Sequence, residues 1–172
     1  GYTPDVVLLH IGTNDAIWDA DGLNPDPEPS LAAFADTTWG EIDSIIQTIM
    51  GVNSSAHIFV AQIIPVWSKP ENQSIQDRID ALNLEIGFSA PSLATVVDFS
   101  GLTPTGAMLA DSFHPNAAGE EFMANQWFTA MESTGALSSI PEPSTCALIV
   151  GVSTLLCAAF SRRRGKAAPA KA

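Results

Sequence analysis

Asp5-Val6-Val7-Leu8-Leu9-His10-Ile11-Gly12-Thr13-Asn14-Asp15 opens on a nearly unbroken apolar run and closes on a turn. A half-buried strand alternates polar and apolar residues. This run does not, so it suits a strand covered on both faces of a parallel sheet. Gly12 and Asn14 end it, and ligands of open α/β sheets gather at the carboxyl ends of strands. Asn14 is thus placed where chemistry would occur. His10 departs from the apolar pattern and reads as a satisfied core histidine rather than a base.

The pattern repeats downstream. Residues 16–30 read as an acidic, proline-rich loop. Asp19, Asp21, Gly22 and Glu28 fall at positions of a calcium-binding EF-hand loop, but Ile17 and Pro25 stand where ligands are needed, and a solvated loop is the better reading. Leu31 to Met50 carries Leu31, Phe34, Ile42, Ile45, Ile46 and Ile49 at helical spacing, ended by Gly51-Val52-Asn53. His57 to Ile64 reads as a second buried strand, stopped by Pro65. Ser74 to Phe88 is a helix with Ile75, Ile79, Leu82 and Ile86 on one face. Ala94 to Phe99 is a third strand, and Ala117 to Glu132 a last helix with Phe122, Trp127 and Met131 as core contacts. Strands alternating with helices predict an α/β layering with a parallel sheet. Trp67, after the second strand, reads as packing, with a pocket wall as its other role.

Asp111-Ser112-Phe113-His114-Pro115 follows the third strand. An ester-hydrolysing histidine must take a proton from a serine hydroxyl, and a carboxylate must hold its tautomer and stabilise the imidazolium. An Asp-x-x-His turn can deliver both groups from one loop, although ordinary loop residues before a helix would look the same. Parallel strands open their following loops on one sheet edge, so Asn14, Asp111 and His114 are able to converge.

Charge narrows the partners. Residues 1–142 hold all nineteen acidic residues and only two basic ones, Lys69 and Arg78, for a net charge of −17. Such a body repels nucleic acid and anionic lipid. Cys146 and Cys157 lie in one C-terminal apolar run, roughly 16 Å apart if it is helical, too far for a bridge. No Cys/His spacing suggests a metal, and no cofactor is implied.

With these residues in view, the chain resembles the SGNH (GDSL) hydrolases. Gly12-Thr13-Asn14-Asp15 after a buried strand, and Asp111-x-x-His114-Pro115-Asn116-x-x-Gly119 about a hundred residues later, carry the resemblance over residues 4–132. Leu8 to Asp15 with Ala61-Gln62-Ile63-Ile64-Pro65 is most similar to the branch containing acetylxylan esterases. The resemblance implies a flavodoxin-like three-layer α/β/α fold and hydrolysis of small-molecule or polysaccharide esters, often acetyl groups on carbohydrates. It implies His114 as base, Asp111 as its orienting acid, Asn14 as a donor to the oxyanion, and Gly12 shaping the turn beneath it.

The family's Gly-Asp-Ser nucleophile segment does not occur in these 172 residues, nor does its second glycine donor. Ser100 and Ser112 lack the required setting. The chain opens on Gly1 and reads as the C-terminal portion of a longer esterase, inactive alone, with Asp5–Ile11 an aggregation-prone unpaired edge. A noncatalytic glycan-binding module keeping the fold, and a lipase or thioesterase of the same family, are the alternatives.

The expected organisation is a hydrolase domain over 1–135, a linker over 136–145, a transmembrane helix over 146–161 and a basic tail over 162–172. The apolar run Cys146 to Phe160 covers about 23 Å as a helix, short of the ~30 Å hydrocarbon core unless flanking residues extend it. Arg162-Arg163-Arg164 suits a cytoplasmic stop. Pro141-Glu142-Pro143-Ser144-Thr145 before that run and the arginines after it resemble the PEP-CTERM sorting signal. The resemblance implies a membrane-anchored precursor, cleavage by an exosortase, and delivery to the cell surface or extracellular matrix.

Overall fold

The computed structural model describes residues 3–139. Its element order is β1 (Val6–Leu9), α1 (Thr13–Ala20), α2 (Leu31–Val52), β2 (His57–Ala61), α3 (Gln73–Ser89), β3 (Thr95–Val97) and α4 (Ala117–Thr134), with short 3₁₀ turns between. The strands form one parallel sheet in the order β1-β2-β3. Val6 pairs with His57 and Leu9 with Val60; Phe59 pairs with Thr95 and Ala61 with Val97. Within the described residues β1 is an edge strand, and Leu8 on it is 44% exposed.

Side chains alternate across a strand, and β2 feeds two cores. Ile58 and Val60 join Ala16 of α1, Phe34, Ile42 and Ile46 of α2, and Ile75, Ile79, Leu82 and Ile86 of α3. Phe59 and Ala61 join Val97, Phe99, Leu102 and Leu109, with Phe122, Trp127 and Met131 of α4 packed against them. Helices therefore cover both faces, which explains the unbroken apolar run of β2.

Several boundaries differ from the sequence expectation. Residues 13–20 are helical rather than loop, because Ala16 and Asp19 turn inward while the preceding Gly12 adopts φ 119°. Asn14 accordingly sits in the first turn of a helix. Leu31 and Ile45 are 42% and 40% exposed and stand off the buried stripe of α2. That helix runs through Gly51 to Val52. β2 ends at Ala61, three residues early, because the Asn83 side chain replaces a strand partner. Its Oδ1 accepts the Ile63 N–H at 2.7 Å and its Nδ2 donates to the Ile63 carbonyl at 2.9 Å. β3 likewise narrows to three residues.

Among the described residues no helix is long and apolar enough to cross a membrane. The expected transmembrane segment at 146–161 and the sorting residues Pro141, Glu142 and Pro143 lie outside the described residues.

Candidate active site

Asp111 and His114 share one turn. The Asp111 Oδ1 accepts the backbone N–H groups of Phe113 and His114, both at 2.8 Å. The His114 Nδ1 lies 3.0 Å from Oδ1 and 2.9 Å from Oδ2. The Phe113 N–H foremost, then the imidazole and the His114 N–H, hold the Asp111 carboxyl down to about 2. A carboxylate on Nδ1 keeps the ring proton there and leaves Nε2 free to accept another. Both side chains are exposed, His114 at 76% and Asp111 at 58%, so the pair can meet a reactant directly.

The loop before α4 is stapled from several sides. Asn116 caps α4 by accepting the Ala118 and Gly119 N–H groups at 2.9 and 3.2 Å. Its Nδ2 donates to the Gly106 carbonyl at 3.1 Å, and its backbone N–H to Met108 at 2.9 Å. The Ala110 N–H returns to the His114 carbonyl at 2.8 Å, and Leu109 bridges Pro115. Gly119 is required by this closeness: a Cβ there would lie 2.2 Å from the Met108 carbonyl oxygen. The Trp67 N–H donates to the Ser112 carbonyl at 2.9 Å, which ties the loop after β2 to the Asp111–His114 turn.

Gly12 puts Asn14 at the same rim. Its φ of 119° is one that side chains rarely tolerate, and a Cβ would meet Leu82 at 2.7 Å. Asn14 and His114 line one cavity of about 360 Å³, with His10, Ile17, Ile64, Phe113 and Met123 among its walls. The structure brings Asn14, His114 and, through the turn, Asp111 together. His10 is not the satisfied core histidine expected: its Nε2 is shut from solvent without a partner among the described residues. Its ring meets Phe99 edge-on at 5.4 Å, and burial lowers its pKa, keeping it neutral. Sequence reasoning passed over Asn83 as a bracing residue, and placed Asn116 in the motif before the last helix without its bracing contacts to Gly106 and Met108. The signal for Asn116 was its place directly before a helical apolar pattern.

The model of the GDSL-like lipase/acylhydrolase family matches residues 1–122. The chain belongs to that family. Solved structures agree on the fold. A Parabacteroides merdae protein described as a GDSL-like lipase is 19% identical, with a TM-score of 0.61 over 78% of this chain and 62% of its own. A carbohydrate esterase family 3 protein from Talaromyces cellulolyticus is 22% identical, with a TM-score of 0.56 over 80% and 60%. The acetyl xylan esterase AlAXEase is 17% identical, with a TM-score of 0.53 over 74% and 67%. This GDSL-family chain thus spans 62% of the first of these and 60% of the second. No curated protein matches it.

Proposed function

We propose that these residues form the acid–base half of a serine ester hydrolase that removes acetyl groups from carbohydrates. The observation that carries the reading is the Asp111–His114 contact at 2.9 Å beside a cavity that Asn14 also lines. In this mechanism His114 Nε2 takes the proton of a serine hydroxyl, whose oxygen attacks the ester carbonyl. The tetrahedral intermediate carries its negative charge on the former carbonyl oxygen, where the Asn14 amide donates; one such donor is worth about 2.7–4 kcal/mol of barrier. His114 then protonates the departing alcohol, and water repeats the cycle to release acetate. The serine comes from a Gly-Asp-Ser segment that these 172 residues do not contain. Ile64, Phe113 and Met123 give the cavity apolar walls, which suit a short acyl group better than a charged one.

The test is acetate release from acetylated xylan by a protein joining these residues to a Gly-Asp-Ser segment, compared with release from long-chain p-nitrophenyl esters. Acetyl preference and loss of turnover in His114→Ala are expected; full activity in that variant would sink the assignment. Residues 1–135 alone should turn over no acetyl ester, and measurable turnover would refute the missing-serine mechanism.

For localisation, Pro141-Glu142-Pro143 ahead of an apolar run and three arginines supports export and exosortase processing. Alanines at the three positions should leave an uncleaved, membrane-held precursor; normal processing of that variant would overturn the reading.

A further inference from the structure

The cavity beside His114 has a neighbour of about 610 Å³, and the two share Asn14 and Ile17 as lining residues. Its other walls are Asp15, Trp18 and Leu23. Asn14 and Trp18 are four residues apart on one helix, hence on the same face and about 6 Å apart along its axis. Trp18 is 60% exposed and Leu23 63%, so two large apolar side chains stand exposed around a cavity that the candidate oxyanion donor also lines.

The shelf is held in place. The Leu23 and Asn24 N–H groups both donate to the Trp18 carbonyl, at 3.2 and 3.1 Å. One residue on, the buried Asp19 carboxylate accepts from Arg78 Nε at 2.6 Å, from the Glu28 N–H at 2.9 Å and from Asn24 Nδ2 at 3.3 Å. The loop that presents Leu23 is therefore anchored to α3 through Arg78. A pre-formed surface binds without the cost of ordering itself.

We propose that Trp18, with Leu23 and Asp15, is a binding subsite for a neutral sugar ring of the substrate, adjoining the ester bond; this rests on the esterase reading above. An indole face stacks on the apolar C–H face of a sugar, and a carboxylate accepts its hydroxyl hydrogens. An acyl chain fits worse, because it would desolvate Asp15 without offering it a hydrogen bond. An anionic saccharide is disfavoured by the net charge of −17 on residues 1–142. An ester held at Asn14 places the sugar that bears it one helical turn away, over Trp18.

Binding separates this from catalysis. Xylotetraose titrated calorimetrically into the 172-residue chain should bind, Trp18→Ala should weaken binding about tenfold, and Trp18→Phe should stay close to the parent. Leu23→Ala should weaken it less, in the same direction, and serves if Trp18→Ala does not fold. Absence of binding by the parent chain, or equal binding by a folded Trp18→Ala, overturns the subsite. In a protein joined to a Gly-Asp-Ser segment, Trp18→Ala should raise KM for acetylated xylo-oligosaccharide about tenfold with kcat nearly unchanged, and leave ethyl acetate turnover alone. Equal losses on both esters would also overturn it. Failure of that joined protein to hydrolyse ethyl acetate would instead remove the esterase reading, whatever the sugar titration shows.

Discussion

The Asp111 carboxylate grips His114 twice, accepting its backbone N–H at 2.8 Å and facing its ring Nδ1 at 2.9 Å. One residue thus fixes both where the histidine's main chain sits and which way its imidazole turns. Asp111→Asn keeps the size but can present an amide N–H to Nδ1, which favours the wrong tautomer. In a catalytically complete protein we expect kcat to fall about 10³–10⁴-fold, as for loss of the orienting acid in a triad. A variant within tenfold of the parent in single-turnover acetate release would remove Asp111 from that role.

The same contacts set a pH dependence. A carboxyl held near 2 in the folded chain, against an ordinary 3.8, favours folding above the unfolded value. That contribution is lost as pH falls from about 4 through about 2. Carboxyl-carbon NMR should place the Asp111 midpoint near 2, and a midpoint at the ordinary value would show that the turn does not form in solution.

Gly119 permits the loop before α4 to touch the helix. Gly119→Ala puts a methyl 2.2 Å from a backbone oxygen, which no side-chain rotation relieves. We expect a loss of about 3 kcal/mol in urea unfolding and displacement of the His114 turn. Asn116→Ala removes the cap and should cost about 1–2 kcal/mol.

Asp19 and Arg78 join the end of α1 to α3. Burial by itself would raise the Asp19 carboxyl, but Arg78, the Glu28 N–H and Asn24 together hold it below its ordinary 3.8. Its contribution to stability is present above that value and lost as pH falls through the lower folded one. Arg78→Met leaves a buried carboxylate without its cation and should destabilise by about 2 kcal/mol, less than for a wholly buried pair because the guanidinium stays partly wet. Protease cleavage within residues 21–28 should quicken in that variant; unchanged cleavage would show that the loop is held by something else.

Gly12→Ala forces a side chain onto φ 119° and should cost about 1–3 kcal/mol. Because Asn14 follows two residues later, the variant should also slow catalysis in a protein joined to a Gly-Asp-Ser segment. A stable, fully active Gly12→Ala would detach the turn from the site.

Much of this was legible in the linear chain. Apolar runs at 6–9 and 58–61 identified parallel strands; burial on both faces holds for β2, whereas β1, expected to be covered on both faces, stays partly exposed at the edge of the described sheet. The helical stripe Ile75, Ile79, Leu82 and Ile86 is wholly buried, as its spacing predicted. The turn pairing Asp111 with His114 was readable because three residues of backbone fix that distance locally. Helix α1 was not, because its aspartates and the prolines that follow it at 25, 27 and 29 resemble a solvated loop. What makes it a helix is the burial of Ala16 and Asp19 against α3, with Arg78 arriving from 59 residues away.

By itself, then, the sequence determined the layering and the local Asp111–His114 turn, both of which depend on periodicity and near-neighbour hydrogen bonds. Tertiary structure alone decided that Asn14 and His114 line one cavity, that Asn83 ends β2, and that Trp18 stands beside the site. Those are contacts between distant segments, and burial and packing across the sheet, rather than spacing along the chain, bring them together.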